Sequence, residues 1–358
     1  MKTVSCTVKL DDFTKEACKP FDYEFTGETK FVLPDFDPPK DFFLGLIVGP
    51  SGSGKSQLLS EHFGGPTGVE WEPNRAVVSQ VGTDPEDSVA KLSAVGLNSV
   101  PSWCKPRHVL SNGEGFRADL AKVLADGVVI DEFTSVVDRN VAKAASVGLR
   151  RFVDRYNLNR VVVASCHYDI VEWLQPDWVF DTATGLTTPR GSLCPRPKIE
   201  LEIVPCNRSV WSVFAPHHYL TEKLNGSSYC WAAWWDNALV GFASTIPFPH
   251  GSIKNARRGH RTVVLPDFQG LGIGVRLSDE IARHTVEDLG HRYYSKTAHP
   301  RMGEYRQRHP NWYETSASRV TDPRARHGTK VKSGMGIDYA AMYHRVCWSH
   351  EWKESPHC

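Results

Sequence analysis

Apolar and polar positions divide the chain into two stretches of different texture. In the first, residues 42–48, 127–130, 160–165 and 178–181 are short, nearly continuous apolar runs, the pattern of strands buried on both faces. Between them, residues 56–63, 85–95, 115–124 and 140–156 carry helical spacing, and Asp84 stands where it would cap the second of these. Residues 75–81 read as one more strand. This alternation predicts a parallel sheet with helices on its faces, an α/β domain. Residues 1–41 alternate only weakly and carry turn signals at Thr26-Gly27 and Asp37-Pro38-Pro39, so they read as short strands ahead of the first core strand.

Residues 187–197 hold three prolines and a Gly-Ser pair and read as a linker. Strands follow at 199–205, 229–236 and 238–247, the last two joined by a tight turn at Asp236-Asn237. A strand at 261–265 runs into a glycine-rich turn and a helix over 272–289. A strand at 292–297, a helix at 301–309 and a strand at 339–348 complete an α+β pattern. The expected organisation is N-terminal strands at 1–41, an α/β core at 42–190, a linker at 191–198 and a second domain at 199–358.

A chain of 358 residues has room for two such domains, and 41% apolar content with 11 tryptophans excludes a disordered chain. The longest apolar run, 42–48, is too short to cross a bilayer, and the N-terminus has no leader-like run, so a cytoplasmic protein without a membrane partner is expected. The nine cysteines are irregularly spaced with no CxxC pair, which predicts free thiols and gives no zinc pattern. Charge is uneven. Before Arg196 there are 20 Lys+Arg against 26 Asp+Glu, and from Arg196 onward 22 against 15, with twelve of the 15 histidines. A basic second half suits an anionic ligand such as CoA or a nucleic acid.

Gly49-Pro-Ser-Gly-Ser-Gly-Lys55-Ser56 matches GxxxxGK[ST], between a buried strand and a helix. Glycines let consecutive N–H groups turn onto phosphates at a helix N-terminus. Lys55 reaches the outer phosphates, and the Ser56 hydroxyl serves Mg²⁺. The expected ATP contacts are Gly49, Ser51, Gly52, Gly54, Lys55, Ser56 and Gln57. Val128-Val129-Ile130 ends in Asp131 and Glu132, the first placed to hold Mg²⁺ through water and the second to activate the attacking water.

These motifs resemble the ABC ATPases, and further pieces occur in the family's order. Leu110-Ser111-Asn112-Gly113-Glu114 is similar to the signature loop, departing at its third and fifth positions. Ser135-Val136-Val137-Asp138 resembles the loop after the catalytic Glu. His167 follows a strand as the switch histidine does, and Gln80 stands in for the metal-contacting Gln. The resemblance implies an ATP-dependent homodimer in which Ser111 and Gly113 face the γ-phosphate held by the other copy. Only 54 residues lie between Lys55 and Leu110, short for a transporter subunit of this family, which disfavours transport.

The segment from Arg261 to Gly274, with Pro266-Asp267-Phe268-Gln269-Gly270-Leu271-Gly272-Ile273-Gly274 at its end, resembles the pyrophosphate loop of GNAT acetyltransferases, Q/R-x-x-G-x-G/A. The implied acetyl-CoA contacts are Leu265, Gln269, Gly270, Gly272, Ile273 and Gly274. A Rossmann turn is the competing reading, but a strand meander rather than a βαβ unit precedes Gln269. Amine attack on the thioester calls for a base and an acid. Tyr305 and Tyr313 are the acid candidates, and His260 or Glu304 the base candidates. His299-Pro300 stands where the family often has Asn. Between Arg301 and Lys332 lie eight Lys/Arg with Trp312 and Tyr313 among them, a pattern that suits nucleic acid as well as a solvated basic loop.

The whole chain thus resembles ABC-type ATPases fused to an acetyltransferase domain, as found in prokaryotes and their phages. It implies acyl transfer, with ATP gating, to a macromolecule, nucleic acid foremost. The alternatives are a protein or small-amine acetyltransferase regulated by ATP, and a nucleic-acid-associated ATPase whose GNAT-like domain only binds.

Overall fold

The apolar runs of the first half meet in one sheet, seen here in a computed structural model that describes residues 2–21, 23–218, 221–319 and 347–354. The chain divides into units Met1–Lys198 and Ile199–Cys358.

The first unit runs β1 (Lys2–Thr7), α1 (Asp12–Cys18), β2 (Glu28–Leu33), β3 (Leu44–Val48), α2 (Lys55–Phe63), α3 (Val78–Val81), α4 (Pro85–Ala94), α5 (Val100–Trp103), α6 (Asn112–Val123), β4 (Val129–Ile130), α7 (Arg139–Tyr156), β5 (Val161–Ser165), α8 (Val171–Leu174), β6 (Trp178–Asp181) and β7 (Leu186–Pro189). The main sheet has the order β4-β5-β3-β6-β7, parallel except for β7. Successive side chains explain the lack of alternation in sequence. Leu44, Leu46 and Val48 point into one core with Ala118, Ala142 and Leu149, while Ile47 points into the other with Leu58, Leu59 and Phe180. Gly45 is required by close approach, since a Cβ there would lie 2.0 Å from the Trp178 ring. β1 and β2 form a separate antiparallel pair.

Three expectations for this unit are corrected. Residues 75–81 are not a strand. Val77 and Val81 are buried four residues apart, the spacing of one helical face, and the chain forms the short helix α3 instead. A helix, α1, interrupts the N-terminal strands, nucleated by a capping box between Asp11 and Thr14. The linker begins later than residue 187, because Leu186–Pro189 pairs with β6.

The second unit runs β8 (Glu202–Pro205), α9 (Trp211–Phe214), β9 (Tyr229–Trp235), β10 (Ala238–Pro247), β11 (Ala256–Val264), α10 (Ile273–Arg283), β12 (Arg292–Thr297), α11 (Pro300–Arg308), β13 (Trp312–Glu314) and β14 (Trp348–Trp352). The sheet order is β13-β14-β12-β11-β10-β9-β8, and only β11 and β12 are parallel neighbours. α9 packs on one face, where Trp211 and Phe214 meet Phe242 and Val263. α10 packs on the other, where Leu277 lies against Gly241. The helix expected over 272–289 ends as an α-helix at Arg283 and closes in a wider π-type turn, His284–Asp288. Most of the strand expected over 339–348 lies outside the described residues, and the observed closing strand is β14. No helix among the described residues is long and apolar enough to cross a membrane.

Candidate functional sites

In the first unit, the C-terminal ends of four strands gather the candidate nucleotide site. Val48 of β3 is level with Ser165 of β5 and Asp181 of β6, and Ile130 of β4 with Val163. The P-loop leaves β3 through Gly49, Gly52 and Gly54, all with positive φ. Gly54 caps α2 in the left-handed region, and a Cβ there would stand 2.7 Å from Leu33 and 2.9 Å from Phe31. A Cβ on Gly52 would meet nothing within 4 Å, so the loop opens outward there. Lys55 is 5% exposed and its ammonium donates to the carbonyls of Gly49, at 2.9 Å, and Pro50, at 2.8 Å. Ser51, Ser56 and Gln57 are exposed. Among the described residues Lys55 has backbone carbonyls alone to release.

Asp131 and Glu132 follow β4 directly. Glu132 has φ 51°, its N–H donates to Asp131 Oδ1 at 2.8 Å, and Ser135 donates its hydroxyl to the Glu132 carboxylate. His167 leaves β5 beside them, its N–H bonded to Ser165 Oγ at 3.1 Å. Ser111 caps α6 through a box with Glu114, whose other oxygen accepts from Ser102 at 2.6 Å. The departure at the fifth position of the signature thus has a local purpose. Gly113 is half-buried on the first turn of α6. Gln80 lies in α3 rather than at a strand end, and its amide accepts from Glu72 N–H at 2.8 Å and donates to Arg75 O at 2.8 Å. One residue was missed: Phe31, a 40%-exposed ring beside Gly54, reached from β2 with no motif to mark it.

In the second unit, β11 and β12 pair only over Ala256–Arg258 and Arg292–Tyr294, although β11 continues to Val264 and β12 to Thr297. The strands part, and from Gly259 the edge of β11 that faced β12 keeps its backbone groups out of that ladder. A bulge opposite Ser244 and Thr245 leaves His260 without a partner residue in the register. A Cβ on Gly259, at the fork, would stand 2.8 Å from Tyr293 Oη and 3.1 Å from Ser295 Oγ.

Beyond β11 the glycine-rich loop is held by the Gln269 amide, which donates to Val264 O at 3.0 Å, and by buried Leu271 and Ile273. Leu265 is half-buried at its start. Gly270 and Gly272 have φ of 93° and 81°, and Gly272 caps α10. A Cβ on Gly272 would meet nothing within 4 Å, whereas Gly274 rests on Val264. Space thus opens beside Gly272 at the start of α10, where the first N–H groups of a helix have no partner within it, an arrangement that can take an anionic group.

The acid and base candidates are spread out. The Tyr305 hydroxyl donates to Asp279 of α10, and Trp312 Nε1 donates to the other oxygen at 2.8 Å. Burial raises the Asp279 carboxyl, and burial with Asp279 raises the Tyr305 phenol. Tyr313 is 41% exposed on β13, with the Lys353 ammonium 5.2 Å from its ring centre. Glu304 pairs with Arg308 at 3.4 Å. His260 Nε2 accepts the Asn225 N–H at 3.3 Å, which places its proton on Nδ1. Burial, then Arg261, Arg258 and His218, push its pKa down to about 4. His299 stands at the N-cap position of α11, half-buried, and among the described residues its Nδ1 has no hydrogen-bond partner. Asp279 and His218 carried no signal in the sequence, because their neighbours come from other elements. Of the basic residues between Arg301 and Lys332, those from Arg324 onward lie outside the described residues. Arg306 is 3% exposed and stacked 4.4 Å over Trp312, so it is part of the core.

Residues 197–306 match the acetyltransferase (GNAT) family model. This stretch is a GNAT acetyltransferase domain. The chain is also similar in structure to an acetyltransferase of Bacillus subtilis in complex with CoA, at 13% identity and TM-score 0.31 over 44% of this chain and 100% of that one. A GNAT acetyltransferase from Elizabethkingia anophelis with acetyl-CoA bound gives 14%, 0.30, 43% and 98% in the same terms. The dimeric structure of a bacterial ABC transporter cassette gives 15%, 0.33, 43% and 84%. These TM-scores are too low to carry weight. No curated protein sequence matches the chain.

Proposed function

We propose that the protein is an acetyl-CoA-dependent N-acetyltransferase whose first half binds and hydrolyses ATP, and that its acceptor is a nucleic acid. The observation that carries the transferase reading is the fork of β11 and β12 leading into the Gln269–Gly274 loop. The loop would hold the CoA pyrophosphate on the N–H groups opening α10. The unpaired edge of β11 would run alongside the pantetheine arm, offering it backbone hydrogen bonds. Acetyl-CoA supplies the activated acyl group. The chain's own residues bind it, orient it and lead the acceptor amine to the fork.

The ATP reading rests on the P-loop, with its outward-opening Gly52 and buried Lys55, level with Asp131 and Glu132 across the strand ends. Ser56 and Asp131 would hold Mg²⁺, and Glu132 and His167 would orient the attacking water; Gln80, whose amide is engaged by the Glu72 and Arg75 backbone, does not fit a metal-contacting role. Ser111 and Gly113 at the exposed start of α6 would complete the site of a second copy, giving an ATP-dependent dimer. A regulated transferase acting on a protein or small amine is the second reading. It is favoured by the burial of Arg306 under Trp312, which takes that residue out of a nucleic-acid stripe.

Calorimetric titration of the full chain with acetyl-CoA and with Mg-ATP tests both halves. Saturable binding of each is expected. No heat with acetyl-CoA sinks the transferase reading, and no heat with Mg-ATP sinks the ATPase reading. Mass spectrometry of total nucleic acid from cells with and without the protein tests the acceptor, and an unchanged modification profile rejects it.

A further inference from the structure

β6 ends among the parts of the candidate nucleotide site, and its last residues reach two of them. Thr182, directly after the strand, returns to β3. Its N–H donates to Val48 O at 2.9 Å and its hydroxyl to the same carbonyl at 3.2 Å. The hydroxyl also lies 2.6 Å from Ser53 Oγ, inside the P-loop. With the Thr182 hydrogen on Val48 O, Ser53 donates this second bond. A Cβ on Gly49 would stand 1.8 Å from Thr182 Oγ1 and 2.9 Å from Ser53 Oγ. Thr182 Oγ1 thus touches the loop where it leaves β3 and again at Ser53. Asp181, one residue earlier, reaches a second part of the site. Its Oδ1 accepts the Tyr168 hydroxyl at 2.8 Å and the Ala183 N–H at 2.9 Å. Tyr168 follows His167 directly, and the next residue, Asp169, accepts Arg139 Nε from α7 at 2.9 Å. The segment after β5 is therefore held from β6 on one side and from α7 on the other.

We propose that Thr182 and Asp181 are positioning residues for two separate steps: Thr182 holds the P-loop in the shape that receives the phosphates of the nucleotide, and Asp181, through Tyr168, holds His167 at the attacking water. This rests on the ATP reading. A P-loop binds phosphate through consecutive N–H groups that must converge on one point. The glycines that permit this turn, at 49, 52 and 54, also leave the loop free to adopt other shapes. Fixing it beforehand lowers the ordering cost of binding. The Thr182 hydroxyl does so from the neighbouring strand without itself reaching into the loop's open side. Its removal therefore acts on affinity. The Tyr168 bond acts elsewhere. A water-orienting group displaced by an ångström slows the reaction while the phosphates still find the same donors. Because Asp169 keeps its own tie to Arg139, loss of the Tyr168 hydroxyl loosens this segment without releasing it.

The test uses the full chain, with Mg-ATP affinity from calorimetry, turnover at saturating Mg-ATP, and melting temperature for each variant. Thr182→Val keeps the shape of the side chain and removes the hydroxyl. Its Kd for Mg-ATP should rise about tenfold, the loss expected for one hydrogen bond, with turnover at saturation close to wild type. Ser53→Ala cuts the same bond from the loop side and should act in the same direction. Thr182→Ser keeps the hydroxyl and should restore the affinity. Tyr168→Phe should leave affinity unchanged and lower saturating turnover about tenfold. Wild-type affinity in both Thr182→Val and Ser53→Ala, or no recovery in Thr182→Ser, overturns the role of Thr182. Unchanged turnover in Tyr168→Phe overturns that of Asp181. If affinity and turnover fall together in every variant, in step with melting temperature, the end of β6 only supports the fold and the proposal fails. A wild-type chain that does not bind or turn over Mg-ATP is a separate result and overturns the reading beneath it.

Discussion

The phenol of Tyr305 gives its hydrogen to Asp279, joining α11 to α10 at a carboxylate that also takes the Trp312 indole N–H. A tyrosine held this way directs its proton at a half-buried acceptor, and both groups are shifted upward by burial. To act as an acid toward a leaving thiolate it would first have to abandon that bond.

Tyr305→Phe should therefore act on stability before rate. Removing a donor from a half-buried carboxylate should lower unfolding free energy by about 1–3 kcal/mol. Transfer rate in the surviving folded protein should fall less than tenfold. Urea unfolding and initial rates of thiol release measure the two. A large rate loss at unchanged stability would instead assign Tyr305 as the acid.

Much of the architecture was legible because the two sheets bury different faces. β3 and β5 are covered on both sides and spell unbroken apolar runs, so they stood out. The glycine-rich turns stood out because each needs a left-handed residue at a helix start, Gly54 before Lys55 and Gly272 before Ile273. Residues 75–81 misled because Val77, Val78 and Val81 have strand propensity, and only burial by α4 and α6 makes them helical. The fork of β11 and β12 had no local signal. It is a register fact about strands far apart in sequence. The same holds for Asp279, whose two hydrogen-bond donors come from α11 and β13, and for His218 beside Arg261.

Acid should destabilise the second unit through His218 and His260. Both are held at about 4, below the ordinary 6.5. Between these values the unfolded chain takes up protons that the folded one refuses. Stability should therefore fall as pH drops from about 6.5 to about 4 and level off below, as far as these two groups are concerned. His260→Asn and His218→Asn should each flatten that slope. Chemical denaturation across this pH range, in wild type and variants, measures it, and equal slopes would refute the shifts.

ATP turnover should depend on Lys55 and Glu132 in different ways. Lys55 is buried and poised on two carbonyls of its own loop, so Lys55→Ala removes the group that would turn to phosphate and should abolish nucleotide binding. Glu132 stands exposed after β4, so Glu132→Gln should bind ATP and lose hydrolysis by at least about a hundredfold, the low end for a positioned general base. Sedimentation of Glu132→Gln should show dimers with Mg-ATP and monomers without. Normal turnover in this variant removes the catalytic assignment, and a monomer in both conditions removes the sandwich.

Gly272 separates two consequences of one substitution. Its φ of 81° is a conformation that an L side chain adopts at a penalty of about 1–2 kcal/mol. Its Cβ, however, would point into open space, with no heavy atom within 4 Å. Gly272→Ala should thus cost stability by about that strain while a single methyl leaves most of the cradle clear, and acetyl-CoA affinity should drop only modestly. Gly272→Glu carries the same strain but fills the space in front of the α10 N–H groups with a carboxylate, which competes for the donors and repels the pyrophosphate. Binding of acetyl-CoA should be lost, while ATP turnover, in the other unit, should persist. Calorimetry with acetyl-CoA on both variants, alongside their melting temperatures, resolves the two effects. If Ala and Glu weaken binding equally, strain alone accounts for the loss and the loop does not hold the pyrophosphate. If Glu binds as tightly as wild type, CoA does not bind at this loop at all.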